Sequence, residues 1–245
     1  MAADRHPAAE HAPGFAYENR NNVFATRFGD RSDRLARFEL GGRSVTVGTV
    51  RDAEPVRPVV DGDSATFRDR FGAELGDADL VYRVTADALK EEIVLERPPT
   101  AADPSYSFVL QLGGVDAKAQ DDGSIGFFRE GAGIGEPPLF AIPRPFMTDG
   151  AEDLTLPYGR AWSDRVTQTV TQRGSTIEVM VRPDRAWLAS ADRRYPVVID
   201  PTIVVEPTPT TGQDAMIKFS ASSTNYCTSW LFGGGPTRTA RPGAC

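Results

Sequence analysis

The chain has 245 residues, room for one all-β domain of about 200 residues plus shorter segments. Its net charge of −7 gives an acidic surface with no basic block, which argues against nucleic acid and anionic membranes as partners. Two cysteines exclude a disulfide scaffold for the body of the protein. No apolar run approaches the ~18 residues of a membrane span.

Residues 1–22 read as a flexible N-terminal tail, polar and Ala-, His- and Pro-containing. Met1 to Gly14 lacks the apolar stretch of a signal peptide. From Val23 the pattern becomes short apolar runs cut by turn signals. Gly41-Gly42 separates Leu35–Leu40 from Ser44–Val50, and Asp61-Gly62 separates Val56–Val60 from Ser64–Phe67. Both are hairpin signals. Leu80, Tyr82 and Val84 alternate with polar or outward neighbours. The run Leu89–Leu95 puts Leu89, Ile93 and Leu95 on one face, with Glu91 as a defect in it. Phe108, Leu110 and Leu112 share the next face.

Residues 131–160, rich in Gly and Pro, read as a long loop with short edge strands. Val166 and Val170 then share a face with Gln168, and Thr167, Thr169 and Thr171 take the other. Ile177, Val179 and Val181 form the partner strand. Asp184–Ala189 suits one helical turn, and Tyr195–Ile199 a final strand. No segment keeps a 3.6-residue apolar period for twelve residues, whereas period-2 alternation recurs. The fold class is therefore all-β: an antiparallel β-sandwich-like domain over 23–204. The core expected from these faces is Leu80, Tyr82, Val84, Ile93, Leu95, Phe108, Leu110, Ile177, Val179, Val197 and Ile199. Residues 205–212 read as a linker, and 213–245 as an incomplete second β segment with too few strands for its own core.

The residues that could carry chemistry are few. His6 and His11 both lie in the tail, so a histidine-based triad or metal site inside the fold is not expected. Glu91/Glu92 and Asp121/Asp122 are sequence neighbours, which a strand sends to opposite faces. Asp77 and Asp79 lack the dense oxygen spacing of a calcium loop. The glycines of 131–135 lead into Pro137-Pro138 rather than a helix, so no phosphate loop is expected. Trp187 is expected in the core. Tyr158 and Trp162, flanked by Pro157 and Gly159, are the candidate exposed aromatic platform for a ligand. Cys227 and Cys245, eighteen residues apart, either form a disulfide worth ~3 kcal/mol or remain thiols. No catalytic residue, metal ligand or cofactor site is expected.

Three stretches carry a family resemblance: Gly76–Leu95 (GDADLVYRVTADALKEEIVL), Trp162–Gln172 (WSDRVTQTVTQ) and Asp184–Ile203 (DRAWLASADRRYPVVIDPTI). They resemble the β-rich region near the N-terminus of large secreted actinobacterial surface proteins, with DNRLRE-type, LamG-like or Rhs/YD-repeat architectures. Residues 213–245 resemble the opening of a DNRLRE-type carbohydrate-binding-like domain, through Gln213-Asp214, Ser223–Tyr226 and Ser229-Trp230. Arg238–Cys245 departs from its usual continuation, which implies a truncated or frameshifted product. The resemblance implies a non-catalytic structural or adhesive module, extracellular or in the cell wall, that presents a polysaccharide-binding domain. Its partners would be polysaccharide or downstream domains, without nucleic acid. The alternatives it implies are a shell or scaffold part of an Rhs-like polymorphic toxin, and a glycan-active enzyme.

Overall fold

A computed structural model describes residues 14–205 except 20–21, 50–52, 134, 157 and 174–175, together with the backbone of 215–216 and 226–227. The chain divides into two units, Met1–Glu206 and Pro207–Cys245. In the second, the described residues are two short paired strands, Ala215–Met216 and Tyr226–Cys227. His6, His11, Trp230 and Cys245 lie outside the described residues, and so does any Cys227–Cys245 pairing.

The first unit is all-β, with antiparallel sheets packed face to face. Its strands are β1 (Phe15–Asn19), β2 (Ala25–Arg31), β3 (Arg34–Leu40), β4 (Arg43–Gly48), β5 (Val59–Asp61), β6 (Ser64–Phe71), β7 (Ala78–Val84) and β8 (Ala88–Leu95). There follow β9 (Tyr106–Gly113), β10 (Val115–Ala119), β11 (Ile125–Arg129), β12 (Phe140–Ile142), β13 (Phe146–Thr148), β14 (Trp162–Ser163), β15 (Val166–Arg173) and β16 (Thr176–Pro183). One helical turn, α1 (Arg185–Leu188), precedes β17 (Val197–Asp200) and β18 (Ile203–Val205). Seven strands form one sheet in the order β1-β2-β3-β4-β9-β16-β15. The other eleven form a sheet in which β8 is the junction. One edge of β8 pairs with β7. The other pairs first with β17 and then with β18.

Alternation explains the layers. Along β9, Tyr106, Phe108 and Leu110 are buried while Ser107 and Gln111 are exposed. Along β16, Ile177, Val179 and Val181 are buried. Rings meet across the two sheets: Phe38 of β3 lies 5.0 Å from Phe140 of β12, and Phe71 of β6 packs edge-on against Tyr106 at 5.0 Å. Every residue of the core expected from sequence is buried.

Three local expectations change. Phe15–Asn19, inside the expected tail, forms β1 and pairs with β2. The 131–160 region contains β12, which lies between β11 and β18 and is fully buried, so it is no edge strand. The final strand is followed by a further one, because Asp200-Pro201-Thr202 breaks the ladder without ending the chain's run beside β8. α1 forms where the helical turn was expected. Asp184 caps it by accepting the Ala186 and Trp187 N–H groups.

Candidate functional site

Three places concentrate polar or aromatic chemistry. The first is the break beside β8. β17 covers Ile93–Leu95 and β18 covers Ala88–Leu89, so Lys90, Glu91 and Glu92 face the turn at Asp200–Thr202. Strand alternation sends Glu91 inward and its neighbours outward. Glu91 is buried, and the buried Tyr82 hydroxyl donates to its Oε1 at 2.9 Å. Desolvation dominates and pushes the Glu91 carboxyl up to about 8. The Tyr82 hydrogen bond opposes that shift, and Asp200 adds to it. Burial likewise raises Tyr82 well above its ordinary range, with Glu91 contributing. On the outer side Lys90 Nζ reaches Asp200 at 2.9 Å and Glu92 at 3.2 Å. Burial pulls the Lys90 ammonium down, but the two carboxylates outweigh it and the net direction is upward. Glu91 and Glu92 therefore act separately, as their adjacency in a strand requires. Glu91 at neutral pH is a protonated, enclosed acid with no route to a substrate, so its role is in the core.

The second place is the outer face of the seven-stranded sheet. Register aligns Glu18, Arg27, Arg37, Thr46 and Gln111 in one row across five strands. Arg27 and Arg37 would repel, but Glu39 Oε2 accepts from both, at 2.9 and 3.3 Å. Glu18 adds a second carboxylate to Arg27 at 3.1 Å, and Arg34 has Asp33 beside it at 3.4 Å. The face is a charge-balanced lattice, not a cationic track.

The third place is the loop 149–161 between β13 and β14. Among the described residues the exposed large apolar side chains are Val23, Val59, Leu154, Leu156, Tyr158 and Trp162. Four of those six fall within one nine-residue stretch, which singles this loop out. Tyr158 is 63% exposed and Trp162 38%, with ring centroids 5.1 Å apart and planes 33° apart. Phe146 continues the stack, 6.2 Å from Trp162. The sequence-expected pair is thus brought together.

The loop is held from beneath. Asp149, buried, pairs with Arg193 at 3.2 Å, and the Arg193 guanidinium lies 4.4 Å over the Trp187 ring. Trp187 is accordingly half-buried against the core. Gly150 N–H donates to the Arg194 carbonyl at 2.7 Å. A Cβ at Gly150 would meet the Pro196 carbonyl oxygen at 2.8 Å, so the loop needs glycine there. Within the loop, Asp153 N–H donates to the Gly159 carbonyl, and Gly159 adopts φ +69° to close the turn. The rings therefore sit on a braced turn. Sequence reasoning found the rings. It missed the Asp149–Arg193 anchor, because the two residues are 44 positions apart and neither has a local signal.

The remaining sequence candidates separate. Asp77 pairs with Arg97, while Asp79 accepts the Asp69 N–H at 2.8 Å. Among the described residues, no group of three or more potential ligands could hold a metal. Gly133 N–H donates to Glu136 in a tight turn, without a helix behind it. No helix among the described residues is long and apolar enough to cross a membrane.

Similarity to curated proteins extends over most of the chain. It is 27% identical over 218 residues to the tRNA3(Ser)-specific nuclease WapA of Bacillus spizizenii, covering 88% of this chain and 8% of that protein. It is 31% identical over 143 residues to the tRNA(Glu)-specific nuclease WapA of Bacillus subtilis subsp. natto, covering 58% of this chain and 6% of that protein. A third relative, the tRNA nuclease WapA of Bacillus subtilis strain 168, is 27% identical over 217 residues, with 88% and 8% coverage. No family model matches the chain. No solved structure matches it.

These relatives overturn several expectations. The likeness is to Bacillus nucleases over as many as 218 residues. It is not to actinobacterial DNRLRE or LamG-like surface-protein domains. The expected non-enzymatic structural or adhesive module, with polysaccharide as target and no nucleic acid, does not stand beside relatives named as tRNA nucleases. Net charge describes the surface of this chain and says nothing of what the rest of a far longer protein binds. A histidine count in this chain says nothing of chemistry elsewhere in proteins of which it spans 8%.

Proposed function

We propose that this chain is a segment of a nuclease that acts on tRNA, and that Tyr158 and Trp162 receive an unpaired base of that RNA. The observation that carries the first part is similarity along 88% of the chain to two proteins named as tRNA nucleases. The chain spans 8% of their length, so the nuclease activity is a property proposed for the polypeptide that carries this segment. The second part is supported by the exposed, tilted ring pair on its braced loop. Every base offers a π-face, and aromatic stacking contributes ~1–3 kcal/mol per base. Glu152 and Asp153 flank the rings and are exposed, so contact through phosphates is disfavoured there and stacking is the available mode.

The direct test of the activity is incubation of the polypeptide carrying this segment, as its host makes it, with a tRNA pool. Discrete cleavage products are expected, and an intact pool overturns the reading. The ring contact is tested by tRNA titration of the 245-residue chain. Tyr158→Ala should weaken binding roughly tenfold, with a shallow salt dependence. A chain that does not bind tRNA, or whose binding ignores both Tyr158→Ala and Trp162→Ala, overturns the contact. An extracellular or cell-wall location belongs to the same proposal, and fractionation of producing cells tests it.

A further inference from the structure

β15 ends the seven-stranded sheet and pairs with β16 alone. Edge strands in soluble proteins are usually blunted by charge, proline, a bulge or a cover. From Val166 to Gln172 the sequence is VTQTVTQ, with none of those residues, and its register to β16 is unbroken. Thr167, Thr169 and Thr171 are exposed. The opposite side of the strand is anchored: Gln168 Nε2 donates to the carbonyls of Gly123 (2.7 Å) and Pro143 (3.1 Å). The strand is thus anchored on its inner side while its threonines face solvent.

The ladder shows which backbone groups face outward. Asp184 N–H donates to the Arg165 carbonyl at 2.8 Å, which makes that pair a hydrogen-bonded one. Antiparallel pairs alternate, so Thr167, Thr169 and Thr171 bond to β16, while Gln168 and Val170 turn their N–H and C=O groups away from it. Pro183, which has no N–H, accordingly sits opposite Val166. The Val166 N–H is already used by the Asp164 carbonyl.

We propose that two copies of this chain associate antiparallel along β15, centred on Thr169. The sequence is self-complementary about that residue. Gln168 of one copy meets Val170 of the second, and both carry outward-facing groups, so each such pair exchanges two backbone hydrogen bonds. Thr169 meets Thr169, and Thr167 meets Thr171, on the exposed face, a cross-strand pairing that favours association. No charge falls within the paired stretch. A register shifted by one residue would set outward groups against groups already bonded to β16, so parity excludes it. Of the registers that parity allows, the one centred on Thr169 pairs threonine with threonine throughout and keeps Arg165 and Arg173 off the threonines.

Sedimentation equilibrium of the 245-residue chain across a hundredfold concentration series tests the association. The apparent mass should rise from one chain toward two. Thr169→Lys places two ammonium groups opposite each other and should weaken association at least tenfold. Val59→Lys, the same charge change on the exposed β5, should leave it unchanged. Register is tested by exchange: T167K/T171E pairs Lys with Glu twice and should associate, while T167E/T171E opposes like charges and should not. These pairs decide the matter even if T169K folds poorly. A chain monomeric throughout, a dimer indifferent to T169K, or equal behaviour of the two double variants overturns the proposal.

Discussion

Two regions of the molecule reverse the usual placement of side chains. Beside β8 a carboxyl is buried at the centre of the eleven-stranded sheet, bonded to the buried Tyr82. Across residues 154–162, in loop 149–161 and at the first residue of β14, four large apolar side chains stand in solvent. Both are exceptions to the rule that sorts apolar groups inward, yet they differ in kind. Glu91 faces only protein, so its energetics appear as a pH dependence of folding. Tyr158 and Trp162 face water, so their removal costs the fold little, and what they contribute must appear on binding.

The largest effect that separates the two belongs to the ordinary core around them. Leu110 is 2% exposed, in the middle of β9 between β4 and β16. Leu110→Asp places an unpaired carboxylate there, at a cost of several kcal/mol against a total stability of roughly 5–15. The first unit should be unfolded at room temperature by circular dichroism. A variant with the parent melting temperature would show that the sheets do not pack on this face.

Next is the anchor beneath the loop. Asp149→Ala leaves the Arg193 guanidinium buried without its carboxylate, with 13% of its side chain exposed. Breaking a buried pair this way costs about 3–5 kcal/mol. The melting temperature should fall, and hydrogen exchange should speed up at Gly150 and Asp153, whose N–H groups brace the loop. Unchanged exchange there would separate the loop from its anchor.

How much of this was legible follows the range of each interaction. Strands and their inward faces are local patterns, so Leu80, Tyr82, Val84, Phe108 and Ile177 could be placed from alternation alone. Tyr158 and Trp162 were visible as aromatic residues beside a Pro and a Gly, both turn formers. Glu91 read as a defect because its partner Tyr82 lies on the neighbouring strand, and only the β7–β8 register puts them together. Gln168 weakened the β15 reading for the same reason: its carbonyl partners come from residues 123, 142 and 143. β12 was hidden because a three-residue buried strand carries too few alternations to register a period. Net charge is a bulk quantity of this chain and carries no signal for the partners of proteins of which the chain spans 8%.

Glu91 gives the third effect, smaller and confined to a pH window. Its carboxyl rises from an ordinary 4.5 to about 8 in the fold. Between those values the folded state holds a proton that the unfolded state has released. Stability from the protonated form is therefore complete below about 4.5 and is lost as pH rises through 8. The loss should reach a few kcal/mol by pH 9. Glu91→Gln keeps an oxygen for Tyr82 and cannot ionise. Denaturant melts from pH 5 to 9 should fall for the parent and stay flatter for the variant. Parallel curves would mean that Glu91 does not titrate in the core.

The smallest effect on stability is expected at the rings, and that smallness makes them informative. Tyr158 is 63% exposed and Leu154 75%, so truncation removes little buried area. Tyr158→Ala should shift stability within about 0.5 kcal/mol, as surface changes away from caps and ion pairs do. Trp162→Ala should cost more, because its larger, half-covered ring packs beside Phe146. The same two variants should each weaken tRNA binding about tenfold if the rings hold a base. Chemical denaturation and tRNA titration on the same samples read both quantities. A Tyr158→Ala chain that loses several kcal/mol of stability would make the ring part of the loop's packing. Binding lost with folding intact would leave the exposed face of the rings as the contact.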